Sequence, residues 1–126
     1  MDIRIIDGLP VVELKIVYEG KEKILGNVLL DTGSSNTIFD VDSVLDIGLV
    51  INPAGGKARR MYGVGGKSEL CYEQTAFNII IDKYSLDSFT IQLGMTKENY
   101  GFECILGTDF MIKNKINIDF RGLSAI

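Results

Sequence analysis

Residues 29 to 35 read Leu29-Leu30-Asp31-Thr32-Gly33-Ser34-Ser35, an apolar run that ends on a carboxylate followed by small residues. The Asp-Thr-Gly triplet occurs once in 126 residues. Two carboxylates that share one proton can drive a water molecule onto a carbonyl carbon, because like charges about 3 Å apart cannot both ionise and become one acid and one base. A single Asp31 is half of that device. If the chain is an enzyme of this kind, the other half must come from a second copy, with the two-fold axis between the two Asp31 side chains. The neighbouring residue types suit the same chemistry. Gly33 lets the backbone fold tightly beside the carboxylate, and the Thr32 hydroxyl can hydrogen-bond the other copy's backbone at the base of the loop. The Ser34 hydroxyl stands where it can donate to the outer oxygen of Asp31, which favours the ionised form. The plainer alternatives are that Asp31-Thr32-Gly33 is only a turn and that Ser34 satisfies loop backbone.

Two further motifs lie at a distance. Met61-Tyr62-Gly63-Val64-Gly65-Gly66 is a glycine-rich hairpin, and Ile105-Leu106-Gly107 is an apolar pair followed by glycine. With the apolar strand Ile24 to Leu30 leading into Asp31, these three signatures, in this order, resemble the retropepsin-like aspartic proteases. The resemblance spans most of the chain and implies an all-β fold: a closed barrel with one short C-terminal helix and one active-site half per chain. Pepsin-like enzymes share the Asp-Thr-Gly-Ser-Ser run but carry two such motifs in a chain more than twice as long, so the length favours the dimeric branch.

The resemblance also implies roles. Asp31, Thr32, Gly33 and Ser34 would form the catalytic loop; Ser35, Asn36, Tyr62, Gly63, Val64, Gly65 and Ile105 would contact substrate, the glycine-rich hairpin acting as a flap and Ile105 lining the pocket beside the scissile bond. The implied reaction is hydrolysis of internal peptide bonds by a homodimer acting on a peptide or protein, with no cofactor and no metal. Apolar side chains are expected to flank the cut. The chain ends, Met1 to Ile6 and Leu123 to Ile126, are expected to pair across the two-fold axis. Four residues depart from the retroviral pattern. Tyr62 replaces a glycine, Ser34 an alanine, and the positions that carry a charged pair steadying retroviral dimers are Ser35 and Thr108. The alternative on the same fold is a non-catalytic dimeric module for peptide binding or assembly.

Composition is that of one domain over residues 1–126. With 46% hydrophobic and 24% charged residues, a chain of this size can bury about two-thirds of its unfolded surface. Runs such as Ile79-Ile80-Ile81 fall far short of the roughly 20 residues of a membrane span, and Met1-Asp2-Ile3-Arg4 lacks a secretory apolar stretch, so the expected location is cytoplasmic. The chain has no His, which excludes a Cys-His nucleophile and a His-ligated metal, and its two cysteines, Cys71 and Cys104, read as buried free thiols. A net charge of −4 with only Lys57-Ala58-Arg59-Arg60 as a basic cluster argues against nucleic acid. Gly66-Lys67-Ser68 has the wrong spacing from Gly63 for a phosphate loop.

The coarse pattern predicts a hairpin of Val11 to Tyr18 with Lys23 to Leu30 around a Glu19-Gly20-Lys21-Glu22 turn. A short helix is expected over 44–47, capped from Asp40 to Ser43 and ended by Gly48. The flap hairpin is expected over 57–74, strands over 75–82 and 88–93, and an exposed turn from Thr96 to Gly101. Thr108 or Asp109 is expected to cap a helix over 110–113, and Ile116 to Phe120 to form a last strand.

Overall fold

The computed structural model describes residues 1–62 and 68–126. Gly63, Val64 and Gly65, assigned above to the flap tip, therefore lie outside the described residues. The strands are β1 (Ile3–Ile6), β2 (Leu9–Tyr18), β3 (Lys21–Leu30), β4 (Ile38–Asp40), β5 (Gly56–Tyr62), β6 (Ser68–Ile81), β7 (Tyr84–Gly94), β8 (Cys104–Leu106), β9 (Ile118–Asp119) and β10 (Ser124–Ala125). Between them lie a 3₁₀ turn at Leu45–Ile47 and the helices α1 (Thr96–Tyr100) and α2 (Thr108–Lys113).

The first two hairpins are set locally. Asp7-Gly8 and Glu19-Gly20 both adopt left-handed φ, at 51° and 78° and at 50° and 77°. That is the two-residue turn whose twist matches right-twisted strands. Six strands then close a ring: β2 pairs with β3, β3 with β8, β8 with β4, β4 with β7, β7 with β6, and β6 returns to β2 through Ile16↔Ile81 and Val17↔Ile80. Closure removes most open strand edges and leaves an interior for the alternate apolar side chains. Leu14 and Ile16 on β2, Leu25 and Val28 on β3, Ile79 and Ile81 on β6, and Ile91 on β7 are buried there with Phe39 and Phe110. Tyr84 and Phe89 meet the Phe110 ring edge-on, which seats α2 against the barrel. A second, smaller cluster of Ile38, Cys71 and Ile105, with Met61 against it, lies apart from this core.

Several expectations shift. The flap arm and the strand expected over 75–82 are one continuous strand, β6, and the strand expected over 88–93 begins at Tyr84. The segment read as an exposed turn is the helix α1, closed by Gly101 at φ 83°, so the described residues hold α1 in addition to the expected C-terminal helix α2. Its first turn depends on a remote acceptor, since Lys97 N donates to Asp40 Oδ1 at 3.0 Å. Asp40, expected as a helix cap, is buried and spends its other oxygen on Ser43 N and Oγ, at 3.1 and 2.8 Å. The helix expected over 44–47 is correspondingly reduced to the 3₁₀ turn ended by Gly48. Neither Thr108 nor Asp109 caps α2; both lie inside it, and Gly107 holds the cap position without a side chain to contribute.

The two chain ends pair with each other within one copy. The Met1 ammonium and the Ala125 carbonyl meet at 2.8 Å, Ala125 N donates to Met1 O at 2.8 Å, and Ile3 N donates to Leu123 O at 2.8 Å. β10 is also paired with β9, and Ile126 exchanges hydrogen bonds with Asn117. Met1 and Ile3 thus bond the backbone of Ala125 and Leu123 within one copy, while Arg4, Ile5 and Ile6 pair with β2 at the edge of the sheet. Ile5 and Ile6 remain exposed.

The outer arms of the hairpin are held electrostatically as well as by the ladder. Glu73 on β6 forms ion pairs with Arg59 and Lys57 on β5 and accepts from Gln92 Nε2 at 2.7 Å. Arg59 first, then the Gln92 amide, hold the Glu73 carboxyl below its ordinary value. A carboxyl whose folded value is depressed stabilises the fold above its unfolded value, and that contribution disappears as pH falls through the folded one. Glu73→Gln is therefore expected to lower the urea midpoint at about pH 7, and that loss is expected to shrink as pH falls and the native carboxyl takes up its proton. A loss that does not change with pH would assign Glu73 a packing role only.

Candidate active site

The Asp31 loop is placed by an inserted strand. β8 lies between β3 and β4, parallel to the first (Leu30↔Leu106) and antiparallel to the second (Ile38↔Ile105). The segment joining β3 to β4 must therefore arch over the end of β8, and Asp31 N continues the ladder by donating to Leu106 O at 3.0 Å. Glu103 fixes the approach: its Oε1 accepts from Gly26 N and Asn27 N at 3.0 and 3.2 Å, and its N donates to Asn27 O at 2.9 Å.

Below the arch the chain turns into α2, and the two are bound together. Thr108 donates to Ser34 O through both N and Oγ1, at 2.8 and 3.2 Å. Thr37, wholly buried, donates from N and Oγ1 to the two Asp109 oxygens at 3.1 and 2.7 Å and accepts from Gly107 N at 3.1 Å. The positions without the charged pair, Ser35 and Thr108, do not meet each other. The loop is fastened instead by Thr108 to the Ser34 backbone and by the Thr37 to Asp109 contact, which no motif had singled out. Its only sequence signal is that both residues follow closely on a recognised motif.

Within the loop, Gly33 N donates to Asp31 Oδ1 at 2.9 Å, which orients the carboxyl group. Asp31 is half-buried, and Thr32 is exposed with no hydrogen-bond partner for its hydroxyl among the described residues. Ser34 does not act on Asp31. Its hydroxyl donates to Asn36 O at 2.7 Å, which is the plainer of its two readings. Asn36 is not on the cleft either: its amide donates to Ser35 Oγ at 3.0 Å.

Asp31 opens onto a cleft of about 560 Å³. Gly33, Ser34 and Ser35 form its rim beside the carboxylate, and Ile105, Ile38 and Met61, from the second apolar cluster, form its floor. Tyr62, 73% exposed at the last described position of β5, stands over it. The structure thus brings Asp31, Gly33, Ser34, Ser35, Tyr62 and Ile105 to one cavity. Sequence reading had passed over Leu9, Leu29, Glu69, Tyr100 and Phe102, which complete the lining. Neither thiol is a nucleophile at neutral pH. Burial, then the Glu69 charge, pushes Cys71 up to about 11, and complete burial raises Cys104. No group of three or more His, Cys, Asp or Glu residues suited to a metal ion is present among the described residues. None of the described helices is long and apolar enough to cross a membrane.

A closed barrel with its acidic loop arched over an inserted strand is the retropepsin-like fold. A retropepsin-like aspartic protease from Rickettsia conorii superposes with a TM-score of 0.60 at 16% identity, covering 94% of this chain and 82% of that one. The retroviral protease-like domain of Ddi1 from Leishmania major gives 0.59 at 12%, covering 92% and 86%. The EIAV protease, solved in complex with the inhibitor HBY-793, gives 0.58 at 16%, covering 91% and 96%. No protein-family model and no curated protein sequence matches the chain. At these identities the likeness establishes the fold.

Proposed function

We propose that the chain is an aspartic endopeptidase active as a homodimer. The observation that carries this reading is a single carboxylate, Asp31, oriented by Gly33 N and placed at the rim of a largely apolar cleft. With two copies facing, one Asp31 takes a proton from water while the other, protonated, donates to the peptide carbonyl oxygen. The oxygen of the water bonds to the carbonyl carbon. The carbon–nitrogen bond then breaks, and the amine leaves with a proton returned from the pair, with no covalent intermediate. The substrate peptide lies extended beside Gly33 and Ser35, and the β5–β6 hairpin, with Tyr62 and Met61 on the cleft, covers it.

The intrachain pairing of both chain ends changes what the dimer must use. The second copy meets this one through the Asp31 loop, where the exposed Thr32 hydroxyl is available as a donor, and through the exposed Ile5, Ile6 and Leu9 around the β1–β2 turn. With Ser35 and Thr108 where a charged pair would steady the dimer, the dimer should be weak. The specific activity of the native chain on a peptide library, at acidic and neutral pH, is therefore expected to fall on dilution as dimer dissociates. An active monomer at every concentration by sedimentation would overturn the half-site reading. The same observation about the chain ends favours a second reading, a peptide-binding module without catalysis. It predicts bound but uncut peptides in that digest.

A further inference from the structure

Asp31 is not the only carboxylate on the cleft. Glu69 on β6 is opposite Met61 on β5 and shares the same cavity. Its Oε1 accepts from Met95 N at 3.3 Å. The carboxylate rests over Gly94: a Cβ there would stand 3.2 Å from Glu69 Oε1, 3.3 Å from Ile38 Cγ2 and 2.9 Å from Cys71 Sγ. The absence of a side chain at position 94 is thus what lets the Glu69 carboxylate settle beside Ile38, on the floor of the cleft.

No charge of opposite sign accompanies it among the described residues. Among the described residues that line the cleft, Asp31 and Glu69 are the acidic ones and none is Lys or Arg. Nor does any described Lys or Arg pair with Glu69. Its charge is felt locally: the Tyr100 phenol, also on the cleft, is raised by burial and then by Glu69. A half-buried carboxylate in a largely apolar cavity is stabilised when a cation joins it, and an acidic cleft gathers cations from solution. Lysine and arginine carry their charge on an apolar stem, which can lie along Met61 and Ile38 while the head group reaches the carboxylate.

We infer that Glu69 is a specificity-determining residue, selecting peptides that place a lysine or arginine side chain against it at one position near the cut. The inference rests on the peptide-hydrolysis reading above and narrows it, since one subsite would then take a cation where apolar side chains alone are expected.

The test uses peptides that differ only in carrying Lys, Gln or Glu at one position at a time around the scissile bond. At one position, the native chain is expected to prefer Lys over Gln by about tenfold or more in kcat/KM, the scale of a charge-assisted hydrogen bond. Glu69→Gln should bring that ratio close to one, and Glu69→Lys should reverse it in favour of Glu. Raising the salt concentration should shrink the ratio in the unmodified protein, a readout that needs no variant to fold. Cleavage by the native chain with no cationic preference, or a ratio that survives Glu69→Gln, would overturn the inference and leave the hydrolytic reading intact. If no peptide is cut at any pH, the hydrolytic reading fails separately. Fluorescence anisotropy of the same labelled peptides then decides the role of Glu69: a Lys preference lost in Glu69→Gln supports it, and equal binding of all three peptides overturns it.

Discussion

Asp31→Asn is expected to reduce peptide cleavage by at least about a thousandfold, because an amide cannot share or accept the proton on which the paired mechanism turns. The shape is retained. The amide oxygen can still accept from Gly33 N, which holds the native carboxylate at 2.9 Å, and Asp31 N still donates to Leu106 O. Circular dichroism and sedimentation of the variant should therefore match the native chain while its progress curves are flat. The same logic extends to a covalently linked tandem in which one copy carries Asp31→Asn, where one competent carboxylate remains in the shared site. That tandem should be inactive as well. Cleavage above about one part in a thousand by either protein would place the chemistry on other residues.

The second large effect is structural and concerns the floor of the loop. A Cβ on Gly107 would overlap the Asn36 carbonyl oxygen, come within 2.7 Å of its carbon, and stand 2.8 Å from Ser34 O. These are backbone atoms of the Asp31 loop, so no side chain can swing aside to relieve the clash. Gly107 has φ −92° and suffers no strain from its own dihedrals; the requirement is purely one of close approach. Gly107→Val should destabilise by about 3 kcal/mol or more, through overpacking and through loss of the Thr108 N to Ser34 O and Gly107 N to Thr37 Oγ1 bonds as the loop lifts. Cleavage should fall even where the variant remains folded, since Asp31 is carried on that loop. Gly101 is the control of opposite kind, with open space around it but φ at 83°. Gly101→Ala should cost only about 1 kcal/mol and spare activity. A Gly107→Val midpoint within about 0.5 kcal/mol of native, the range of ordinary surface substitutions, would mean that loop and helix slide apart freely.

Some of this was legible in one dimension. Asp31 at the end of an apolar strand, the hairpin turned by Glu19-Gly20, and the glycine after Ile105-Leu106 are all local statements. Their physics is complete within a few residues: alternation puts one face of a strand inward, and a turn closes on its own dihedrals. The single Asp-Thr-Gly likewise followed from counting. What failed was the fate of groups whose partners are remote. Ser34 is a local exception: it could donate to Asp31 or to loop backbone, and the path of the arch over β8 gave it Asn36 O, two residues on. Thr96 to Gly101 lacked the length and periodicity of a helix and became one because Asp40, far along the chain, accepts from Lys97 N.

The sequence by itself determined that a lone carboxylate would stand in a tight loop after an apolar strand, with a glycine-rich hairpin and a second glycine to accompany it. Tertiary structure decided where that carboxylate opens, which side chains share its cleft, and that the two chain ends meet each other within one copy. The reason is common to all three. A backbone donor or a carboxylate left without a partner carries nearly the same cost wherever it lies in the chain, so sequence can say that a partner is needed. Which partner is met depends on the closure of the barrel, and that brings together residues such as Thr37 and Asp109, 72 positions apart.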